Sequence, residues 1–111
     1  MIWRVRDRAS FEALARAPRR RRGPVSVRFA PGDDPSLPPR VAYAVGRRVG
    51  SAVARNRVRR RLRASVAQRA DELVPGAAYL FEAEPAVLNL AFADLADTVA
   101  WLIRRTRERP S

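Results

Sequence analysis

"AVARNRVRRRLRASV", Ala52 to Val66, is the stretch on which the reading of the fold turns. Its apolar residues fall at Val58, Leu62 and Val66, and the series continues to Ala70 and Leu73. Spacings of four, four, four and three stack all five on one side of a helix, because side chains three and four apart lie one above another. Six of the fifteen residues are arginine. At about 100° per residue, Arg57, Arg60, Arg61 and Arg63 point away from the apolar stripe, and Arg59 lies on its flank. The segment is therefore predicted to be an amphipathic helix running to about Leu73, apolar on one face and cationic on the other. Asn56, near its start, can cap it. A helix of this kind needs a layer to bury its stripe against, and the flanking sequence supplies one.

On the N-terminal side, "VAYAV" (Val41 to Val45) reads as a strand, joined to the helix through Gly46-Arg47-Arg48-Val49-Gly50. On the C-terminal side, Pro75 and Gly76 break the chain before "AAYLFEA" (Ala77 to Ala83), a second strand. Further upstream, "VSVRFA" (Val25 to Ala30) alternates as a half-buried strand does, and "PGDDPSLPP" (Pro31 to Pro39) is a loop rich in breakers. "RRRRG" (Arg19 to Gly23) reads as a basic loop. "SFEALARA" (Ser10 to Ala17) reads as a helix capped by Ser10, with Phe11, Leu14 and Ala15 on one side and Pro18 ending it. The last helix is predicted over about Ala91 to Arg107, its stripe formed by Phe92, Leu95, Val99, Leu102 and Ile103. The order is α-β-β-α-β-α, with room for a further strand around residues 2–5 or for a split of the second. This is an α+β fold, a two-layer α/β sandwich with three main helices on a small mixed sheet, in a single domain over 1–111.

The charge balance narrows the function. Twenty-three basic residues face eleven acidic ones, a formal net charge of +12. All the basic residues are arginine, which fits a codon bias toward arginine, alanine and proline; the excess of charge needs another cause. Between Arg47 and Arg69 there are nine arginines and no acid. Like charges one helical turn apart cost about 0.2–0.5 kcal/mol per pair, so a cationic face this dense calls for a polyanion to neutralise it, and nucleic acid is the first expectation. A membrane-surface helix fits less well, because the stripe is needed for the core.

Cysteine and histidine are both absent, which excludes disulfides, thiolate metal sites and the usual general base. The carboxylates are scattered. Glu82 and Glu84, on one face of a strand, are the best pair for a metal, and a solvated strand edge explains them as well. No catalytic residue and no metal ligand is expected from the protein. No apolar run is long enough to span a bilayer, and "MIWRVRDRASFEAL" lacks the features of a secretory signal. The expectation is a cytoplasmic protein without a membrane partner.

"RVAYAVGRRVGSAVARNRVRRRLRASV", Arg40 to Val66, resembles the signature of the bacterial ribonuclease P protein subunit, with Arg55-Asn56-Arg57 as its RNR box. "VRDRASFEAL" resembles the family's opening helix, and "PGAAYLFEA" with the apolar last helix fits its end. The chain departs from the family in having Gly46-Arg47-Arg48 for Ser-Lys-Lys, Ala15 for a second aromatic, and Ala64 for an acid after the box. The resemblance implies a fold like domain 2 of ribosomal protein S5, with a left-handed crossover through the RNR helix. It implies an accessory role in a ribonucleoprotein endonuclease that removes the 5′ leader of precursor tRNA. There the RNA subunit is the catalyst and Mg²⁺ acts through it, with one protein monomer per RNA. Arg47, Arg48, Arg55, Asn56, Arg57, Arg60, Arg61 and Arg63 would contact the RNA subunit, and Phe11, Arg28 and Tyr43 would face a cleft for the single-stranded leader. Trp3 and Trp101 receive no role. The alternatives are a structural or ribosomal RNA-binding protein outside tRNA processing, and a DNA-binding module. The latter expects base-edge readers on the outer helix face, where only Asn56 and Gln68 stand, at opposite ends.

Overall fold

The computed structural model describes residues 1–108; the domain as read to residue 111 extends beyond the described residues. The elements are β1 (Trp3–Arg4), α1 (Arg8–Arg16), β2 (Arg19–Arg22), β3 (Val25–Ala30), β4 (Arg40–Val45), α2 (Ala52–Ala67), β5 (Ala78–Ala83) and α3 (Phe92–Thr106). They form one five-stranded mixed sheet in the order β1-β4-β5-β3-β2. β4 and β5 are parallel neighbours and α2 is the crossover between them; β5-β3 and β3-β2 are antiparallel, and β1 runs parallel to β4.

Side chains alternate across a strand, so the register assigns each residue a face. Val25 and Val27 of β3, Tyr79 and Phe81 of β5, and Val41 and Val45 of β4 share one face and are buried there. Val58, Leu62 and Val66 of α2 and Leu95, Val99, Leu102 and Ile103 of α3 complete the same core. The stripe that predicts α2 is thus the seam joining it to the sheet. On the opposite face, α1 and the chain before it cover a smaller cluster of Val5, Leu14, Ala30 and Ala78.

Several local expectations change. Arg19–Arg22 is not a loop but an edge strand paired to β3 along its length, Arg19 opposite Arg28 and Arg22 opposite Val25. Gly23, at φ +58, opens the two-residue turn that folds it back, as a hairpin loop with glycine first requires. The cap of α1 is Asp7, not Ser10: its carboxylate accepts from the Ser10 backbone N–H at 2.8 Å. Hydrogen bonding from the Ser10 side chain, then from its backbone, with a smaller pull from Arg40, holds the Asp7 carboxyl below its usual range. Ser10 is instead a buried anchor that accepts from Arg40 Nη1. Ser51, not Asn56, caps α2, its hydroxyl accepting from the Ala54 N–H at 3.2 Å. α2 ends at Ala67, short of Leu73; a 3₁₀ turn over Ala70–Glu72 then carries Leu73 into the core. In α3, four of the five stripe residues are buried and Phe92, in its first turn, is exposed.

Candidate nucleic-acid interface

The cationic surface is built on α2 and the 3₁₀ turn Arg47–Val49 before it. Val49 is buried and pins the turn, which leaves Arg47 and Arg48 exposed. Gly50 ends it at φ +149, donating its N–H to the Arg47 carbonyl at 3.2 Å. On α2, Asn56, Arg57, Arg60 and Arg63 are exposed, and Arg55, Arg59 and Arg61 are half-buried. The face is divided rather than uniform. Arg57 and Arg61, one turn apart, border a small pocket of about 40 Å³ with Val58, Val87, Leu88 and Leu95. Arg59 and Arg63, also one turn apart, lean the other way, toward the free edge of the sheet. Arg59 is a tie within the fold: it donates to Asn56 Oδ1 at 3.0 Å and to the Val45 carbonyl at 3.3 Å. Asn56 thus steadies an arginine instead of capping the helix.

The ion pairs separate two populations of arginine. Arg8, Arg21, Arg28, Arg40, Arg69, Arg104 and Arg105 each have a carboxylate oxygen within 4.0 Å. Arg47, Arg48, Arg55, Arg57, Arg59, Arg60, Arg61 and Arg63 have none among the described residues. Arg59 is tied to Asn56 and Val45; guanidinium groups without a carboxylate partner, like the others here, can bind phosphate bidentately.

A cleft of about 980 Å³ lies where β1 ends and β4 continues as a bare edge. Trp3, Phe11 and Tyr43 line it, with Arg4, Arg6, Arg59 and Arg63. Phe11 is 43% and Trp3 44% exposed, so neither is a core residue; Leu14, fully buried, holds α1 to the sheet instead. Trp3 lines the cleft, a placement that periodicity misses, because a two-residue strand shows no period. The Arg63 guanidinium lies 5.5 Å from the centroid of the Tyr43 ring. Burial pushes the Tyr43 phenol up to about 12, against a smaller downward pull from Arg63. Like any tyrosine, Tyr43 is uncharged at neutral pH, and its ring does not repel phosphate.

Arg28 does not join this cleft. It lies on the α1 face of the sheet, with Nε 3.1 Å from Glu82 Oε1 and Nη1 donating to the Ala17 and Ala15 carbonyls at 2.9 and 3.3 Å. A cation at the C-terminal end of a helix satisfies its last carbonyls, and Arg28 does this for α1. Glu82 and Glu84 are likewise engaged, Glu84 with Arg21 at 2.7 Å. Among the described residues no three His, Cys, Asp or Glu side chains gather where they could hold a metal ion. Among them, too, no helix is long and apolar enough to cross a membrane.

Comparison with known proteins adds a family. The sequence model of the family described as Ribonuclease P matches residues 2–107. The chain is similar to a ribonuclease P protein component of Thermobifida fusca, 36% identical over 97% of this chain and 80% of that protein. Its fold is similar to the RNase P protein of Staphylococcus aureus, with a TM-score of 0.80 at 13% identity over 95% of each chain. The RNase P protein of Thermotoga maritima is similar too, with a TM-score of 0.78 at 18% identity over 92% of this chain and 96% of that one.

Proposed function

The chain belongs to the ribonuclease P protein family and is a protein subunit of that endoribonuclease; from this premise we propose that α2 and the turn before it bind the enzyme's RNA subunit while the β1–β4 cleft takes the 5′ leader of precursor tRNA. The observation that carries the proposal is the set of eight arginines between Arg47 and Arg63 without a carboxylate partner among the described residues. Asn56 orients Arg59 and with it the flank of that face. A-form RNA offers phosphates, which guanidinium binds bidentately, and 2′-hydroxyls along a shallow minor groove. In this reading, as the resemblance implies, Mg²⁺ and the cleavage chemistry belong to the RNA subunit. The protein offsets phosphate repulsion and holds the substrate. The reading takes one protein monomer per RNA.

Reconstitution tests it. The protein alone should cleave no precursor tRNA, and added to ribonuclease P RNA it should lower the Mg²⁺ concentration needed for leader removal. Cleavage by RNA-free protein, or an unchanged Mg²⁺ requirement, would count against the assignment.

The leader contact has its own test. Stacking a base on an aromatic side chain is worth about 1–3 kcal/mol. Phe11→Ala and Trp3→Ala should each weaken holoenzyme affinity for precursor tRNA by an amount of that order and leave affinity for mature tRNA unchanged. A buried phenylalanine would cost about 3–5 kcal/mol of stability when truncated, whereas the exposure of Phe11 predicts a nearly unchanged melting temperature. Equal losses for the two tRNAs would remove the aromatic pair from the leader path.

A further inference from the structure

The edge strand β2 poses a problem that α2 does not solve. It consists of Arg19, Arg20, Arg21 and Arg22, it pairs only with β3, and its outer edge is the end of the sheet. Charged side chains on an edge strand block unwanted pairing, but one or two suffice and either sign serves. Four arginines repel one another, and Arg19 stands directly across from Arg28, a like-charge pairing that destabilises a sheet.

The neighbouring helix adds to the charge. Arg20 and Arg22 lie on the face of the sheet that α3 covers. The Arg22 guanidinium sits 4.8 Å from the centroid of the Trp101 ring, and the Arg105 guanidinium sits 4.6 Å from the same centroid. One indole thus contacts two cations. Arg105 is paired to Glu108 at 2.8 Å and Arg21 to Glu84 at 2.7 Å. Arg20 reaches only the Glu108 carbonyl, at 3.4 Å. Arg19, Arg20 and Arg22 have no carboxylate within ion-pair distance among the described residues. A cation–π contact fixes a guanidinium in place without neutralising it. The indole therefore preorganises positive charge and leaves it open to an anion.

We propose that β2 and the last turn of α3 form a second phosphate-binding surface, separate from α2, that grips the backbone of the ribonuclease P RNA subunit. The inference rests on the RNA-subunit role proposed for α2. β2 and β4 are separated by β5 and β3, about 14 Å at ordinary strand spacing, and the leader cleft lies at the far edge. Residues two apart on a strand are about 6.7 Å apart, a spacing comparable to that of successive phosphates along one RNA strand. The single aromatic ring here, Trp101, is half-buried beneath its arginines, so the surface suits a folded RNA backbone and not unstacked bases. A large folded RNA can reach both edges of a domain this small.

The test compares three double variants in binding to ribonuclease P RNA across a salt series: Arg20→Gln/Arg22→Gln at β2, Arg57→Gln/Arg60→Gln on α2, and Arg8→Gln/Arg16→Gln on α1. All remove the same charge. Each phosphate contact contributes about 0.9 to the slope of log affinity against log salt for a duplex. The β2 variant should therefore show a slope shallower by roughly 2, and the α1 variant the wild-type slope. Holoenzyme affinity for mature tRNA should not change with the β2 variant. A wild-type slope for the β2 variant beside a shallower one for the α2 variant would overturn this inference alone. Wild-type slopes for both would overturn the reading of α2 as well. A β2 variant matching the α1 variant, or one that self-associates with unchanged RNA affinity, would reduce β2 to a protected edge. A loss confined to tRNA would assign the surface to the substrate.

Discussion

Replacing Arg57, Arg60 and Arg61 together with alanine is expected to weaken binding to ribonuclease P RNA by at least about 100-fold and to leave the fold in place. A hydrogen bond to a charged group contributes about 1.5–3 kcal/mol, and three neighbouring contacts on one helix need not add in full. Even a partial sum of about 3 kcal/mol corresponds to that loss. The stability cost is small because none of the three is buried and none is in an ion pair among the described residues. Removing mutual repulsion works in the favourable direction. Arg61 carries the one qualification of geometry, since its stem borders the small pocket with Val87 and Leu95. Wild-type protein should also lose affinity steeply with salt: by analogy with duplex DNA, about 6–10 phosphate contacts imply a loss of roughly 10³–10⁵ between 50 and 200 mM. Filter binding across that range, with a thermal melt of each protein, is the measurement. Binding indifferent to both salt and the triple substitution would make the face a merely solvated one.

Leu62→Ala should do the reverse. Leu62 is fully buried beneath α2, between the sheet and α3, and truncating such a residue costs about 2–5 kcal/mol. A domain of this length has about 5–15 kcal/mol in all, so the variant should melt roughly 10 °C or more below the wild type. Where it is folded, its arginines stand where they did, and RNA affinity at low temperature should be close to normal. RNA binds the native state, so saturating RNA should recover part of the loss, about 2.7 kcal/mol at a hundredfold excess over Kd. Circular dichroism melts with and without RNA, beside affinity at 10 °C, separate the two faces of one helix. A Leu62→Ala protein that melts normally would mean that α2 is not seated as described. One that stays folded but binds RNA poorly would mean that the stripe, and not the arginine face, meets RNA.

The helix on which both predictions rest was legible because two signals coincide in it. Its apolar residues follow a helical period and its arginines fill the positions between them, and burial of Val58, Leu62 and Val66 matches the spacing. β3, β4 and β5 were legible from their apolar runs with glycine or proline at or near both ends, and α3 from its apolar stripe. β2 was not, since four identical side chains carry no alternation. Its strand character comes from hydrogen bonds to β3 and from Gly23. The caps were misplaced by three and five residues, because Asp7, Ser10, Ser51 and Asn56 are all competent cap residues. What selects among them is a competing partner: Arg40 reaches Asp7 and Ser10 from β4, and Arg59, three residues on in the same helix, draws Asn56.

By itself, the amino-acid sequence determined the class of fold, the cationic face of α2, the absence of a histidine or cysteine catalyst, and the resemblance to the family. These depend on local periodicity and composition, which no distant contact alters. Only the tertiary structure decided which arginines are free. Arg28 and Arg57 look alike in sequence, yet one is held by Glu82 and the carbonyls of α1 and the other has no carboxylate beside it. It also brought Trp3, Phe11 and Tyr43, from three separate elements, to one cleft, and set Arg22 beside Arg105 on Trp101. The reason is physical: an ion pair, a cleft or a stacked guanidinium is fixed by distances of a few ångströms between residues far apart in the chain, and those distances exist only once β1 pairs with β4 and α3 lies across β2.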